Sequence, residues 1–439
     1  AVTNPVIQQV STDAVTGGSG GQHQTEVEPD TFSYGSTVVA SFQVGRTSSF
    51  GAVAMGWATS TDNGQTWAHG VLPGLTASSP NPNPLNPRVV NQSVAYDSVH
   101  STWLVMSVGI VALGSSFTEK SLLVSRSSDG LTWQQPVTAV ATDVDKAWGV
   151  CDNWASSPFR GHCYVAYSEI NNRDTFAMVS STDGGKTWSP PLHTPTSQRG
   201  YNTNPVVQPN GRVVVVGTDV RNGANGSALL AFGTSNGGVS LTDPVVFNTF
   251  QVHNVASVMR SKDKPSADID QTGTVYAAWS DCRFRSGCPA NDIVFAKSSD
   301  GTHWTSPIRV AEDPVTSGIE HFIPGMAVRP GTSGSKAELG VMYYSLPVAS
   351  CTTTCVVNAF FDTSTDGGAT WHTPTKLNSA AMQPAWMAAT GPGRMVGDVE
   401  SVSYGGNGAA VTVFAVATAP VSGSYREAMN AATFAPLTR

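Results

Sequence analysis

Residues 180–188 read SSTDGGKTW, and close variants recur along the chain: STDNGQTW at 60–67, SSDGLTW at 127–133, SSDGTHW at 298–304 and STDGGATW at 364–371. Asp side chains accept hydrogen bonds from backbone a few residues on, Gly supplies positive φ, and Trp carries a large apolar ring. The stretch therefore has the chemistry of a tight turn pinned to a core. A degenerate copy, TSNGGVSLT, stands at 234–242.

Upstream of each box lies a second recurring element: a polar start, an alternating apolar run, a turn, and a second apolar run. DKAWGVCDNWASSPFRGHCYVAYSE from Asp145 and DKPSADIDQTGTVYAAWSD from Asp263 are the clearest pair. Further copies begin at Glu28, Asn86, Asn204, His321 and Val396, which makes seven units. Each unit reads as four strands, called A to D here: A and B from this element, C leading into the box and D following it. Four strands recurring at roughly 45 to 60 residues predict an all-β, seven-bladed β-propeller of antiparallel blades. The predicted blades are 22–80, 81–142, 143–198, 199–254, 255–315, 316–380 and 381–439, one domain over residues 1–439. Residues 5–12, PVIQQVST, are expected to supply the outer strand of the last blade and so remove an exposed edge.

The boxes resemble the Asp-box, or bacterial neuraminidase repeat, of pattern S-x-D-x-G-x-x-W; the copies at 127 and 298 are one residue shorter between Asp and Trp. The resemblance implies a propeller of the sialidase-like superfamily, with Asp62, Asp129, Asp183, Asp300 and Asp366 as turn acceptors. It does not fix activity, because the repeat occurs in sialidases, other glycosidases, lectin-like propellers and non-enzymes. The Arg-Ile-Pro motif of sialidases is absent, the nearest strings being EPD at 28 and FIP at 322, and sialidase catalytic domains have six blades. No sialidase catalytic residue is carried over.

Composition narrows the partners. The 439 residues are 13% charged with net charge −7 and no basic cluster, which argues against nucleic acid and anionic membranes. The apolar runs are too short to insert into a membrane as helices, and residues 1–20 lack the features of a signal peptide, as expected of a mature soluble form. Six cysteines fall in three close pairs, Cys151 with Cys163, Cys282 with Cys288, and Cys351 with Cys355. Local disulfides, an oxidising compartment, secretion and a monomeric state are the expectations.

If the boxes are C to D turns, strand A starts and B to C loops share the opposite face, and the resemblance places small-ligand sites at the channel mouth on that face. The A starts carry Glu28, Arg88, Asp145, Lys146, Asn204, Asp263, Lys264, His321, Arg394 and Asp398, and the B to C loops add Arg221, Arg283 and Arg285. Arginines with carboxylates suit an acidic sugar. Two chemistries follow: a sialidase-like hydrolase, or a lyase that neutralises a uronate carboxylate and removes the C5 proton. His321, Tyr201, Lys146, Lys264, Asp145 and Asp263 are the catalytic candidates, with His321 the first choice as base. Arg88, Arg221, Arg283, Arg394, Asn204 and Glu28 are the substrate-binding candidates. Convergence of Arg88, Arg283, Arg394 and His321 in one pocket is the discriminating observation for an enzyme at this mouth; if the four point into separate interblade salt bridges, the enzyme reading fails. The same residue types also pair between neighbouring units, and a propeller that binds glycan or protein without turnover is the alternative. DVDK at 143–146 and DID at 268–270 have calcium-loop spacing without the Gly and distant Glu of an EF-hand, so calcium is an expectation only.

Overall fold

The computed structural model describes residues 4–436 except 114–115, 220–227, 257, 262–263, 311–312 and 353–354. Asp263 and Arg221 lie outside the described residues. The chain is all-β, and helix is confined to three single 3-10 turns among the described residues. Five sheets have four antiparallel strands each; an eight-stranded sheet joins two further four-stranded units through one pair, Ala52 with Val89. Consecutive strands pair as A-B-C-D in each unit. In the last sheet, Ser401–Tyr404, Ala410–Ala417 and Glu427–Phe434 are completed by Val6–Gln9, which pairs antiparallel with Glu427–Phe434 as expected.

The A strands are Glu26–Tyr34, Arg88–Asp97, Val144–Cys151, Gly200–Val207, Ser266–Ile269, Glu320–Val328 and Ser401–Tyr404. Each contacts the next in this order, and the last contacts the first, so the units follow one another around a common axis in a propeller-like arrangement. Side chains latch one A strand to the next. Asp30 accepts the Val94 N–H at 2.7 Å, Ser93 the Gly149 N–H at 3.0 Å, Ser266 the Met326 N–H at 2.9 Å, Asp268 the Val328 N–H at 2.7 Å, and Ser401 the Thr31 N–H at 3.1 Å. An A strand has a neighbour on one side only, so these latches satisfy inner-edge donors that no strand pairs.

The box turns behave as their residues dictate. Asp183 accepts the Lys186 and Thr187 N–H groups, both at 3.0 Å, and the Thr187 hydroxyl at 2.6 Å. Asp62, Asp129, Asp300 and Asp366 accept from the equivalent backbone groups, and Asn236 replaces Asp in the degenerate copy. Gly185 stands at φ +75°, where a Cβ would meet Leu104 of the preceding unit at 2.7 Å. The Trp rings pack against the hydrophobic clusters between sheets, with Trp133 the most deeply buried of the five. All three local disulfides are present; two brace B to C loops, and Cys151–Cys163 joins an A strand to its B strand.

Candidate functional site

The A strands share an irregularity that sets the site. Register shifts fall between Val27 and Asp30, Val90 and Ser93, Asp145 and Trp148, Tyr201 and Asn204, and Phe322 and Gly325. Within them Glu28, Asn91, Lys146, Asn202 and Ile323 are left-handed, with φ between 53° and 59°. Such bulges re-aim side chains, and a non-glycine residue held left-handed costs about 1 kcal/mol or more.

Around the first three bulges a charged cluster forms. Arg260 grips Asp398 with two bonds, Nε to Oδ1 at 2.7 Å and Nη2 to Oδ2 at 2.5 Å, and Lys146 Nζ lies 3.3 Å from the same Oδ2. Lys146 also reaches Asn91 Oδ1 at 3.4 Å, and Asn91 donates to Asp145 at 2.7 Å. Glu28, held by Gln43 at 2.7 Å, lies in the fields of Asp398, Lys146, Lys264 and Arg260. Lys264 Nζ sits 4.7 Å from the centre of the Trp148 ring. Arg46 lies behind, bonded to the carbonyls of Thr47 and Gly51.

These contacts divide the groups by protonation. Burial favours the neutral acid at Asp398, but Arg260 and Lys146 reverse this and hold its carboxyl far below the usual range. Burial pulls Lys146 down, and Asp398, Asp145 and Glu28 outweigh it, so Lys146 stays charged. Lys264 is pushed down to about 8, by burial first and by Lys146 second. Burial and then Asp145 push the Glu119 carboxyl well above the usual carboxylate range. Burial and then Asp398 raise Glu28. Counted formally, Arg46, Arg260, Lys146 and Lys264 face Asp398, Glu28, Asp145 and Glu119, four cations to four acids. Lys146 and Arg260 are the cations that reach solvent, with 17% and 14% of their side chains exposed.

Of the candidates, the structure brings Lys146, Lys264, Asp145 and Glu28 together. Tyr201 stands at the edge, half-buried, with its hydroxyl on Asp174. The four residues of the convergence test do not meet. Arg283 closes onto Asp281 and Asn248, and Arg88 bonds Ser49 and the Phe50 carbonyl with its guanidinium 3.8 Å over Phe117. Arg394 bonds the Met387 carbonyl and Tyr425. His321 is buried, with Nδ1 3.0 Å from the Asn291 carbonyl and its pKa lowered, chiefly by burial. Each finds a nearer partner in its own surroundings, so the expectation of a shared pocket for these four is corrected. Arg260, Asn91 and Glu119 were missed. Arg260 lies in a loop without strand pattern, but Asn91 had a signal: E-x-D at 28, N-x-S at 91, K-x-W at 146 and N-x-N at 202 align on the bulge.

The A-start mouth is also not open. Met259 and Arg394 pair as a parallel bridge, Arg260 N–H bonds Arg394 O at 2.7 Å, and Gln22 holds Ala389, so two linkers cross this end. An open cavity of about 520 Å³ lies at the other end, reaching the A to B turns.

Asp292, Asp313 and His321 place ligand atoms within 4.8 Å of one another, a possible metal-binding group. Arg285 and Arg309 already bond both carboxylates at 2.6 to 2.9 Å. The acids of DVDK and DID are engaged too: Asp143 by Lys120, Asp145 by Asn91, Asp268 by Val328 and Asp270 by Thr272 and Thr274.

No protein-family model and no curated protein matches the chain. Among solved structures, an ulvan lyase described as a new family of polysaccharide lyase, bound to -[GlcA(1-4)Rha3S]-, has a TM-score of 0.51 at 10% identity, covering 96% of this chain and 95% of that one. A Dyadobacter fermentans protein of unknown function has 0.49 at 12% identity, covering 98% and 99%. A sialidase from Streptococcus pneumoniae has 0.48 at 8% identity, covering 98% and 71%. The likeness to the ulvan lyase, at this identity, bears on the fold and leaves activity to the site.

Proposed function

We propose that the chain is a seven-bladed Asp-box propeller, secreted and monomeric, that acts as a carbohydrate-active enzyme on an acidic glycan at its A-start end. The five four-stranded sheets, the two joined units and the cyclic order of the A strands support the blade count. The disulfides fit an oxidising compartment. The observation that carries the function is the meeting of Lys146, on left-handed backbone at a bulge, with Arg260 and Lys264 around Asp398. An entering carboxylate meets Lys146 and Arg260 first, the linker that carries Arg260 having to yield.

For a uronate the chemistry is β-elimination. Lys264, poised near neutrality, takes the C5 proton; the C5–H electrons form the C4–C5 double bond as the C4–O bond breaks. Tyr201, whose hydroxyl burial and Asp174 keep protonated, returns a proton to the leaving oxygen. Hydrolysis is the second reading, favoured by the pairing of Glu119, its pKa raised by burial and then by Asp145, with Asp145 itself.

The test is incubation with sialosides and with uronate polysaccharides, following reducing ends and the ultraviolet absorbance of unsaturated uronates. Unsaturated product is expected from a uronate polymer. Reducing ends without that absorbance would establish hydrolysis, and binding without turnover would establish a lectin-like propeller.

A further inference from the structure

The two ends of the space between the A strands differ in chemistry. At the A to B turn end the cavity is lined by Trp148, Trp154, Phe32, Tyr34, Asp268 and Asn204 among others, and by no Lys, Arg or His. Tyr34 is 46% exposed at the rim. Asn204 occupies the register position at which Asp30, Ser93, Ser266 and Ser401 each latch the next A strand. Its own side chain latches no neighbouring strand and lines the cavity. Its carboxamide faces the cavity with its donor and acceptor free for a ligand. Asp268, half-buried on the same wall, uses Oδ2 for the Val328 N–H and still faces the cavity.

We propose that this cavity is a second ligand site, for a neutral saccharide of one or two rings. Aromatic faces stack against the C–H faces of a sugar ring, while Asn204 donates and accepts, and Asp268 accepts, at its hydroxyls. No Lys, Arg or His on the lining is there to pair the carboxylate of an acidic sugar. The acidic-glycan reading concerns the other end; the two meet only at Trp148, whose ring lies under Lys264.

The experiment is ligand-observed NMR and calorimetry on the intact protein with methyl glycosides of glucose, galactose, mannose, xylose and N-acetylglucosamine, with glucuronate, glucosamine and tetramethylammonium as charged arms. At least one neutral glycoside is expected to bind, glucuronate not at all. Asn204→Ala and Tyr34→Ala should each weaken that binding at least tenfold, Asn204→Ala without lowering the melting temperature and Tyr34→Ala with some loss from its packing on Tyr96. No neutral glycoside binding, binding indifferent to both variants, or preference for glucosamine or tetramethylammonium over every neutral sugar would overturn the proposal. Asp183→Ala, in a box turn away from the lining, should leave this binding unchanged.

Discussion

Lys264 is the residue on which the chemistry turns. A lysine at about 8 has a useful fraction of free amine at neutral pH, whereas one at its ordinary value has almost none. Lys264→Met keeps a similar volume, so it is expected to lower kcat/KM on the active acidic polymer at least about 100-fold with little loss of melting temperature. In the wild type kcat/KM should rise with pH towards a plateau above about 8; a flat profile would remove Lys264 as base. Asp183 tests a different chemistry. Its carboxyl is held down to about 2 because the Thr187 hydroxyl and N–H and the Ser181 hydroxyl outweigh slight burial. Asp183→Ala strips the turn of those acceptors and should cost about 1 kcal/mol in denaturant unfolding. At Asp292, Asp313 and His321 the arginines decide the outcome. Arg285 and Arg309 supply the charge that a cation would, so EDTA should leave the melting temperature unchanged and calcium should not raise it. A calcium-dependent rise would show the ion displacing a guanidinium.

At the scale of elements, the outer strand Val6–Gln9 is the most exposed test of the fold. It covers the edge of Glu427–Phe434, which would otherwise present unpaired backbone to solvent. Removing residues 1–9 should lower the melting temperature and raise light scattering at a fixed protein concentration. This strand was legible in the sequence because the seventh unit ends one strand short, while the boxes numbered the rest. The cluster was legible in part, and the reason is geometric. A strand reads with period two, but Glu28, Asn91 and Lys146 sit on bulges that break that period and turn their side chains to the axis. Asp145, Lys146, Lys264 and Glu28 were found because charged residues at strand starts stand out. Arg260 was not, because its place depends on a linker pairing with Gly393–Met395, more than a hundred residues away. The same pairing closes the mouth that strand order alone leaves open.

Over the whole molecule, burial of acids sets how stability follows pH. Glu26, Asp30 and Asp362 are raised to about 7 and Asp268 to about 6, in each case chiefly by desolvation. Unfolded, the same groups titrate near 4. Between about pH 4 and 7 the native state therefore holds protons that the unfolded chain has released. Stability changes with pH as the unfolded minus the native proton count, so it falls as pH rises through this window. The box aspartates act oppositely and lower down. Asp183, at about 2, adds stability above pH 4 that is lost as pH falls towards 2, and Asp62, Asp129 and Asp366 shift in the same direction. Together these place the stability maximum near pH 4 to 5, with a melting temperature lower by roughly 5 °C at pH 8. Differential scanning calorimetry from pH 3 to 9 checks it. Asp362→Asn separates the cause: it removes a buried acid whose Oδ1 meets the Thr363 N–H and whose Oδ2 has no partner, so it should flatten the decline between pH 5 and 7. An unchanged slope would mean that other groups drive it.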